Sequence, residues 1–229
     1  MSTYFKAVRP NGTDFHTGTI DYAAAMGGEP VTLREVPGPR CCTSDVLHAS
    51  TVPTETLIGG SWPCRLFEVT GTPVAEKVYQ RGFFSLTVVR EVDARQALGP
   101  QGEQVAALID RAGKLTVGEA EKLAAAWDAA VPAAVPGDGV WVVLDARVVA
   151  WDAALVAARY AARDSDRNAA RVAARDAAVW EAARDAALAL VVRDLISKEH
   201  YDMLTGPWAQ VIGPAHPDDE TTRNQENTK

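Results

Sequence analysis

The stretch AARYAARDSDRNAARVAARDAAVWEAARDAA, residues 157–187, repeats Ala-Ala-Arg with an almost regular step of four. Alanine is the best helix former, so this composition commits the region to helix. A helix turns about 100° per residue, and a four-residue repeat therefore drifts by about 40° per step. Arg159, Arg163, Arg167, Arg171 and Arg175 lie on a slow spiral of roughly 160°, not in one patch. The six arginines of the stretch are set against Asp164, Asp166, Asp176, Glu181 and Asp185, a net charge of +1. Phosphate recognition needs uncompensated positive charge on one face, and this helix lacks it.

An ion-pair ladder does not hold the helix either. Up to Arg175 the i,i+4 neighbours of the arginines are other arginines, and the Arg-Asp dipeptides 163/164, 175/176 and 184/185 are adjacent residues that cannot face each other. What remains is packing. Alanine pairs at 153/154, 157/158, 161/162, 169/170, 173/174, 177/178, 182/183 and 186/187 form rows that let a second helix approach to about 8 Å. Glu181 interrupts the step of four, and DSDRN (164–168) offers Ser165 or Asp166 as an N-cap. Residues 151–196 are expected as two antiparallel helices, not one rod about 70 Å long, with the arginines as their solvated edge. Trp127, Trp141, Trp151, Trp180 and Trp208 belong to the same half, supplying large rings to interdigitate with the methyls.

The rest of the chain has a different character. Residues 1–98 contain 9 Lys and Arg against 10 Asp and Glu, so most of the net charge of −7 lies beyond them. Attraction to nucleic acid or anionic lipid is disfavoured. TYFKAV and FHTGTIDY flank a turn with Asn11-Gly12, which predicts a β-hairpin. DVLHASTV, CRLFEVTG and FFSLTVVREV are rich in β-branched and aromatic residues and read as further strands. In CRLFEV, Phe67 and Val69 are expected to face the core and Glu68 to face outward.

Helices take over after Gly99-Pro100. EQVAALIDRA has helical spacing, and Thr116-Val117-Gly118-Glu119 has the form of a capping box opening EAEKLAAAWDAAV. VWVVLDARVVAW continues as helix on the spacing of Trp141, Leu144, Val148, Trp151 and Leu155. EHYDMLTGPWAQVIGP predicts one or two short helices around Gly206-Pro207, and HPDDETTRNQENTK a polar, mobile tail. The expectation is an α+β protein: a small, mostly antiparallel sheet domain at 1–98, an Ala-rich antiparallel helical bundle at 99–212, and a tail at 213–229. No signal peptide and no run of about 18 apolar residues is found, and Cys41, Cys42 and Cys64 leave at least one thiol unpaired. A reducing, cytoplasmic setting is expected.

YFKAVRPNGTDFHTGTIDYA, LHASTVPT, WPCRLFEV, VVREV, QALGPQGEQVAALI and EHYDMLTGPWAQVIGPAHPDD together resemble a group of uncharacterised proteins from actinobacteriophages and their hosts. In that group a small N-terminal domain precedes an Ala/Arg/Asp/Trp-rich tract of variable length. The tract is also similar in composition to the Ala-rich helical repeats of immunity-type proteins in bacterial toxin systems, from which VWVVLDARVV departs. The resemblance implies a viral or virus-derived protein of the bacterial cytoplasm and carries no activity with it.

Candidate chemistry is sparse. His48, followed by Ser50, with Glu68 or Glu91 further on, offers the residue types of an ADP-ribosyltransferase-like, NAD- or nucleotide-utilising enzyme, without a diagnostic spacing. Cys41, Cys42, His48 and Cys64 could ligate zinc, but adjacent cysteines do not form the usual Cys-x₂₋₄-Cys hook. Cys64 with His16 or His48 lacks a nucleophile pattern, and His216 with Asp218 and Asp219 reads as tail. GPQGE lacks the lysine of a phosphate loop. No catalytic residue, metal or cofactor is assigned. The reading is a non-enzymatic, phage-type binding protein whose partner is a host or defence protein. The helical region is its scaffold or interface and a possible site of homo-oligomerisation, and the NAD-utilising enzyme is the alternative. DNA mimicry ranks last, since arginines interrupt the acids.

Overall fold

The computed structural model describes residues 2–41, 43–78, 80–130 and 173–219. The chain divides into two compact units, Met1–Gly99 and Pro100–Lys229. Antiparallel sheet builds the first and helix the second, in a general α+β arrangement.

The first unit contains β1 (Thr3–Val8), β2 (Val31–Thr32), β3 (Leu47–Ala49), β4 (Arg65–Thr70), β5 (Pro73–Glu76), β6 (Arg81–Phe83) and β7 (Ser85–Val92). They form two sheets, ordered β1-β4-β7-β2 and β3-β6-β5. At one corner Phe5 and Ser50 exchange backbone hydrogen bonds of 2.8 and 2.9 Å. At the other, β6 runs into β7 through Phe84. Tyr4, Val8, Tyr22, Leu47, Phe67, Val69, Phe83, Leu86 and Val88 make the core, with the Tyr4 and Phe83 rings packed edge to face at 4.9 Å. Phe67 and Val69 point inward as expected. Leu66, on the opposite face of β4, is fully buried as well, because the 3-10 turn Ala94–Leu98 packs there.

The expected β-hairpin does not form. The turn is present, with Gly12 at φ 91° and Arg9 N–H donating to the Thr13 carbonyl, but β1 pairs antiparallel with β4, from Thr3 opposite Thr70 to Val8 opposite Arg65. The reason lies in Asp14. Its carboxylate accepts the backbone N–H groups of Thr17, Thr19 and Ile20 at 2.6–3.1 Å and the Thr17 hydroxyl at 2.8 Å. Those are donors a strand would have offered to its neighbour, so DFHTGTI closes into a loop around a buried acid.

The second unit contains α1 (Gly102–Ala112), α2 (Val117–Ala130), α3 (Ala173–Val191) and α4 (Lys198–Val211). The capping box of α2 is formed as read: Thr116 Oγ1 accepts from Glu119 N–H, and Glu119 Oε2 accepts from Thr116 N–H at 2.8 Å. α3 packs against α1, α2 and α4. Ala182, Ala183, Ala186, Ala187, Ala189, Leu190 and Val191 are all essentially buried, so most of its C-terminal half packs against its neighbours, as a central helix does. The alanine pairs 182/183 and 186/187 thus do pack. Arg184 corrects the idea of a solvated arginine edge: three-quarters covered, it pairs with Glu181 and Asp185. Asp185 also accepts from Trp127 Nε1 at 3.2 Å. The break near Ser165, the helix from Val140, Trp141 and Trp151 lie outside the described residues.

One boundary resolves an alternative that the sequence left open, and one differs from expectation. α4 runs unbroken through Gly206-Pro207, started by Ser197 as N-cap and held by the buried Tyr201, Thr205 and Trp208. Tertiary burial there outweighs the cost of about 3 kcal/mol for an interior proline. The stretch His216–Asp219, expected as tail, is clasped to the unit. Arg193 reaches His216 Nδ1 at 2.8 Å and Asp218 at 3.2 Å, and the Tyr201 hydroxyl donates to Asp219 at 2.8 Å. Among the described residues no helix is long and apolar enough to cross a membrane.

Candidate functional site

Strand alternation puts Tyr4, Lys6 and Val8 on one face of β1. Tyr4 and Val8 belong to the core, so Lys6 occupies a core-facing position and carries its ammonium 5.3 Å above the Tyr22 ring. Among the described residues no carboxylate lies within ion-pairing distance of it. Burial lowers the Lys6 amine from its usual 10.5 to about 8, partly offset by the nearby Asp14 charge. Asp14 itself is pushed up by burial, but the N–H groups of its loop outweigh that and hold it well below the usual carboxylate range.

Lys6 lines a cavity of about 270 Å³. His48 arrives on β3, beside the Phe5–Ser50 pair, and His16 on the Asp14 loop; Phe5, Phe15 and Ile58 form apolar walls, and Gln80 closes one side. Gly60 is required here, since a Cβ would stand 2.9 Å from the Phe15 ring. Burial, together with the charges of Lys6 and His16, lowers His48 from 6.5 to about 4, so its imidazole is neutral at physiological pH. Among the described residues no aspartate or glutamate lines the cavity. Its hydroxyls are committed elsewhere: Ser50 donates to the Glu55 carbonyl at 3.2 Å, Thr56 to Pro53 at 2.7 Å and Thr43 to Arg40 at 2.8 Å. Beyond Phe15 and Gly60 a second recess adds Arg9, whose guanidinium donates to the Phe15 carbonyl at 2.9 Å.

The four residues considered for NAD chemistry are only partly gathered. His48 and Ser50 share the cavity. Ser50 is 2% exposed with its hydroxyl tied to backbone. Glu68 and Glu91 are not among the lining residues. Each lies in a bidentate, cross-strand pair, Glu68 with Arg90 at 2.5 and 2.8 Å and Glu91 with Arg65 at 2.7 and 2.8 Å. Glu68 faces away from the core that Phe67 and Val69 enter, and its hydrogen bonds are spent on arginine.

The thiols do not converge on a metal. Cys41 Sγ is 3.7 Å from the Gln80 carbonyl, Cys64 is buried, and Cys42 lies outside the described residues. Burial pushes the Cys64 thiol up to about 12, which opposes a nucleophilic thiolate. Among the described residues no cluster of three or more His, Cys, Asp or Glu could hold a metal ion. His216, Asp218 and Asp219 are occupied by Arg193 and Tyr201.

Lys6 was not singled out from the sequence, yet its signal was there. In TYFKAV it falls in the phase of Tyr4 and Val8, where a strand buries apolar residues. No family model matches this sequence, and no curated protein or solved structure matches it either.

Proposed function

We propose that this chain is a non-enzymatic binding protein of the phage type, acting in the host cytoplasm. Its N-terminal unit recognises a small anion, and its Ala-rich helical region, an antiparallel bundle, presents the surface for a host or defence protein. One observation carries the reading. The cavity holds a half-buried ammonium and two imidazoles with no carboxylate among its lining residues. Such a site holds the Lys6 charge in a partly desolvated place with Asp14 near it but outside ion-pairing distance, where an anion supplies a direct partner.

The same composition weighs against the NAD-utilising alternative, which needs a carboxylate beside the reacting sugar. Taken alone, the cavity is also smaller than the roughly 300–1,000 Å³ of drug-sized sites. Calorimetric titration with inorganic phosphate and with acetate tests the reading. Saturable binding of either, weakened at least tenfold in Lys6→Met, is expected. Absence of binding by both anions to the folded protein overturns it.

A further inference from the structure

The charge of Lys6 accounts for an anion, but its placement allows more. We propose that the Lys6 amine captures a small α-oxo carboxylate as a reversible imine. The inference rests on the anion-binding reading and names its ligand class.

Three features of the cavity combine. First, Lys6 lines a half-open cavity and forms no ion pair with a carboxylate, the Asp14 charge acting on it only at longer range. Surface lysines such as Lys114 and Lys198 instead pair with Asp110 and Asp202. Second, His16 and His48 also line the cavity, where an imidazole can pass protons between the attacking nitrogen and the departing oxygen. Third, a volume of about 270 Å³ admits a carboxylate of a few carbons beside the amine and excludes larger carbonyl compounds from full burial. The lowered basicity of Lys6, set by burial, agrees with this. A lysine near 8 is part neutral at physiological pH, whereas one at its usual value is almost wholly charged.

The step balances without any co-reactant. The neutral nitrogen attacks the ketone or aldehyde carbon, and the carbon–oxygen π pair moves onto oxygen, giving a carbinolamine. Nitrogen then releases its two protons and oxygen gains two through the imidazole and solvent. The carbon–oxygen bond breaks, water leaves, and a carbon–nitrogen double bond remains. Hydrolysis reverses each change. The ligand carboxylate stays against the imidazole side throughout, which distinguishes an oxo acid from a neutral aldehyde.

Borohydride trapping reads this directly, because the added hydride reduces the imine carbon and fixes the adduct. The full-length protein is incubated with glyoxylate or pyruvate at pH 8, reduced, and mapped by peptide mass spectrometry. One adduct on Lys6, at least tenfold above Lys77, Lys114, Lys122 and Lys198, is expected. It should be absent from Lys6→Met and suppressed in the wild-type protein by excess phosphate, so the result does not depend on the variant folding. Equal labelling of all lysines, or none, in protein that still binds phosphate overturns the imine and leaves anion binding standing. If phosphate does not bind either, both proposals fall together. Propionaldehyde labelling Lys6 as well as glyoxylate does overturns the requirement for a carboxylate.

Discussion

The two units solve the packing problem with opposite materials. The N-terminal unit fills its interior with large, varied side chains, Tyr4, Tyr22, Phe67 and Phe83 among them. The helical unit brings α3 into contact with three neighbours through side chains that are mostly single methyl groups. The first arrangement leaves irregular space between dissimilar shapes, and the cavity around Lys6 is part of that space. The second packs closely along the alanine rows of α3, which let helix backbones approach, and its recess of about 690 Å³ lies away from those rows, around Arg193 and α4.

The largest effect is therefore expected from removing bulk in the first unit. Phe67→Ala should cost about 3–5 kcal/mol by loss of burial and creation of a cavity. Denaturant unfolding followed by a probe in the first unit measures it, and a cost below about 1 kcal/mol would mean that the core can collapse around the gap. In the second unit the costly change runs the other way. Ala186→Leu should destabilise by about 1–3 kcal/mol, since α3 has no free side on which to place three further carbons. A neutral result would show that Ala186 has room beside it and that the row does not pack closely.

Acid should separate the units as well. His48 has a folded value near 4 against 6.5 when unfolded, so its contribution is complete above 6.5 and is lost as pH falls towards 4. Asp14 is also held below its unfolded value, and its contribution disappears on further acidification through the carboxylate range. In the helical unit Glu119 behaves like Asp14, whereas burial raises Asp185 and Glu181 above their ordinary values. Those two favour the folded state at low pH and lose that contribution as pH rises, opposing Glu119. Amide protection at Phe67 and Val69, corrected for the intrinsic pH dependence of exchange, should fall on acidification from 6.5 to 4 more than protection at Ala186 and Leu190. An equal fall at both would remove the assigned roles of His48 and Asp14.

How far the sequence was legible follows the same division. Local, periodic signals were read correctly: the capping box at Thr116–Glu119, the alanine pairs 182/183 and 186/187, and the inward phase of Phe67 and Val69. Signals that depend on a distant or side-chain competitor were not. The Asn11-Gly12 turn is real, but Asp14 diverts the following donors, and the partner of β1 lies near residue 67 in the sequence. Around Pro207 local rules left one helix or two open, and burial of Tyr201 and Trp208 carries α4 through it. The site was half visible. His48 and Ser50 were named and do line the cavity, while Lys6 went unmarked because a lysine in a short strand is ordinarily solvated. Glu68 and Glu91 looked like chemistry because their arginine partners, Arg90 and Arg65, are more than 20 positions away in the chain.

The smallest expected effect makes the finest distinction. Glu68→Gln leaves the outer face of β4 with an amide beside Arg90, an exposed pair of the kind that contributes little to stability. Phosphate binding should remain within about twofold of wild type, because Glu68 lies on the face of β4 opposite the core and lines no part of the cavity. Under the NAD-utilising alternative the same substitution would remove the catalytic carboxylate. The test is a pair of measurements on one variant, calorimetric titration with phosphate and NAD turnover beside wild type. NAD turnover in the wild-type protein that vanishes in Glu68→Gln would return the chain to the enzyme class. Unchanged phosphate affinity in Glu68→Gln, set against a tenfold loss in Lys6→Met, would place recognition inside the first unit's core rather than on its charged surface.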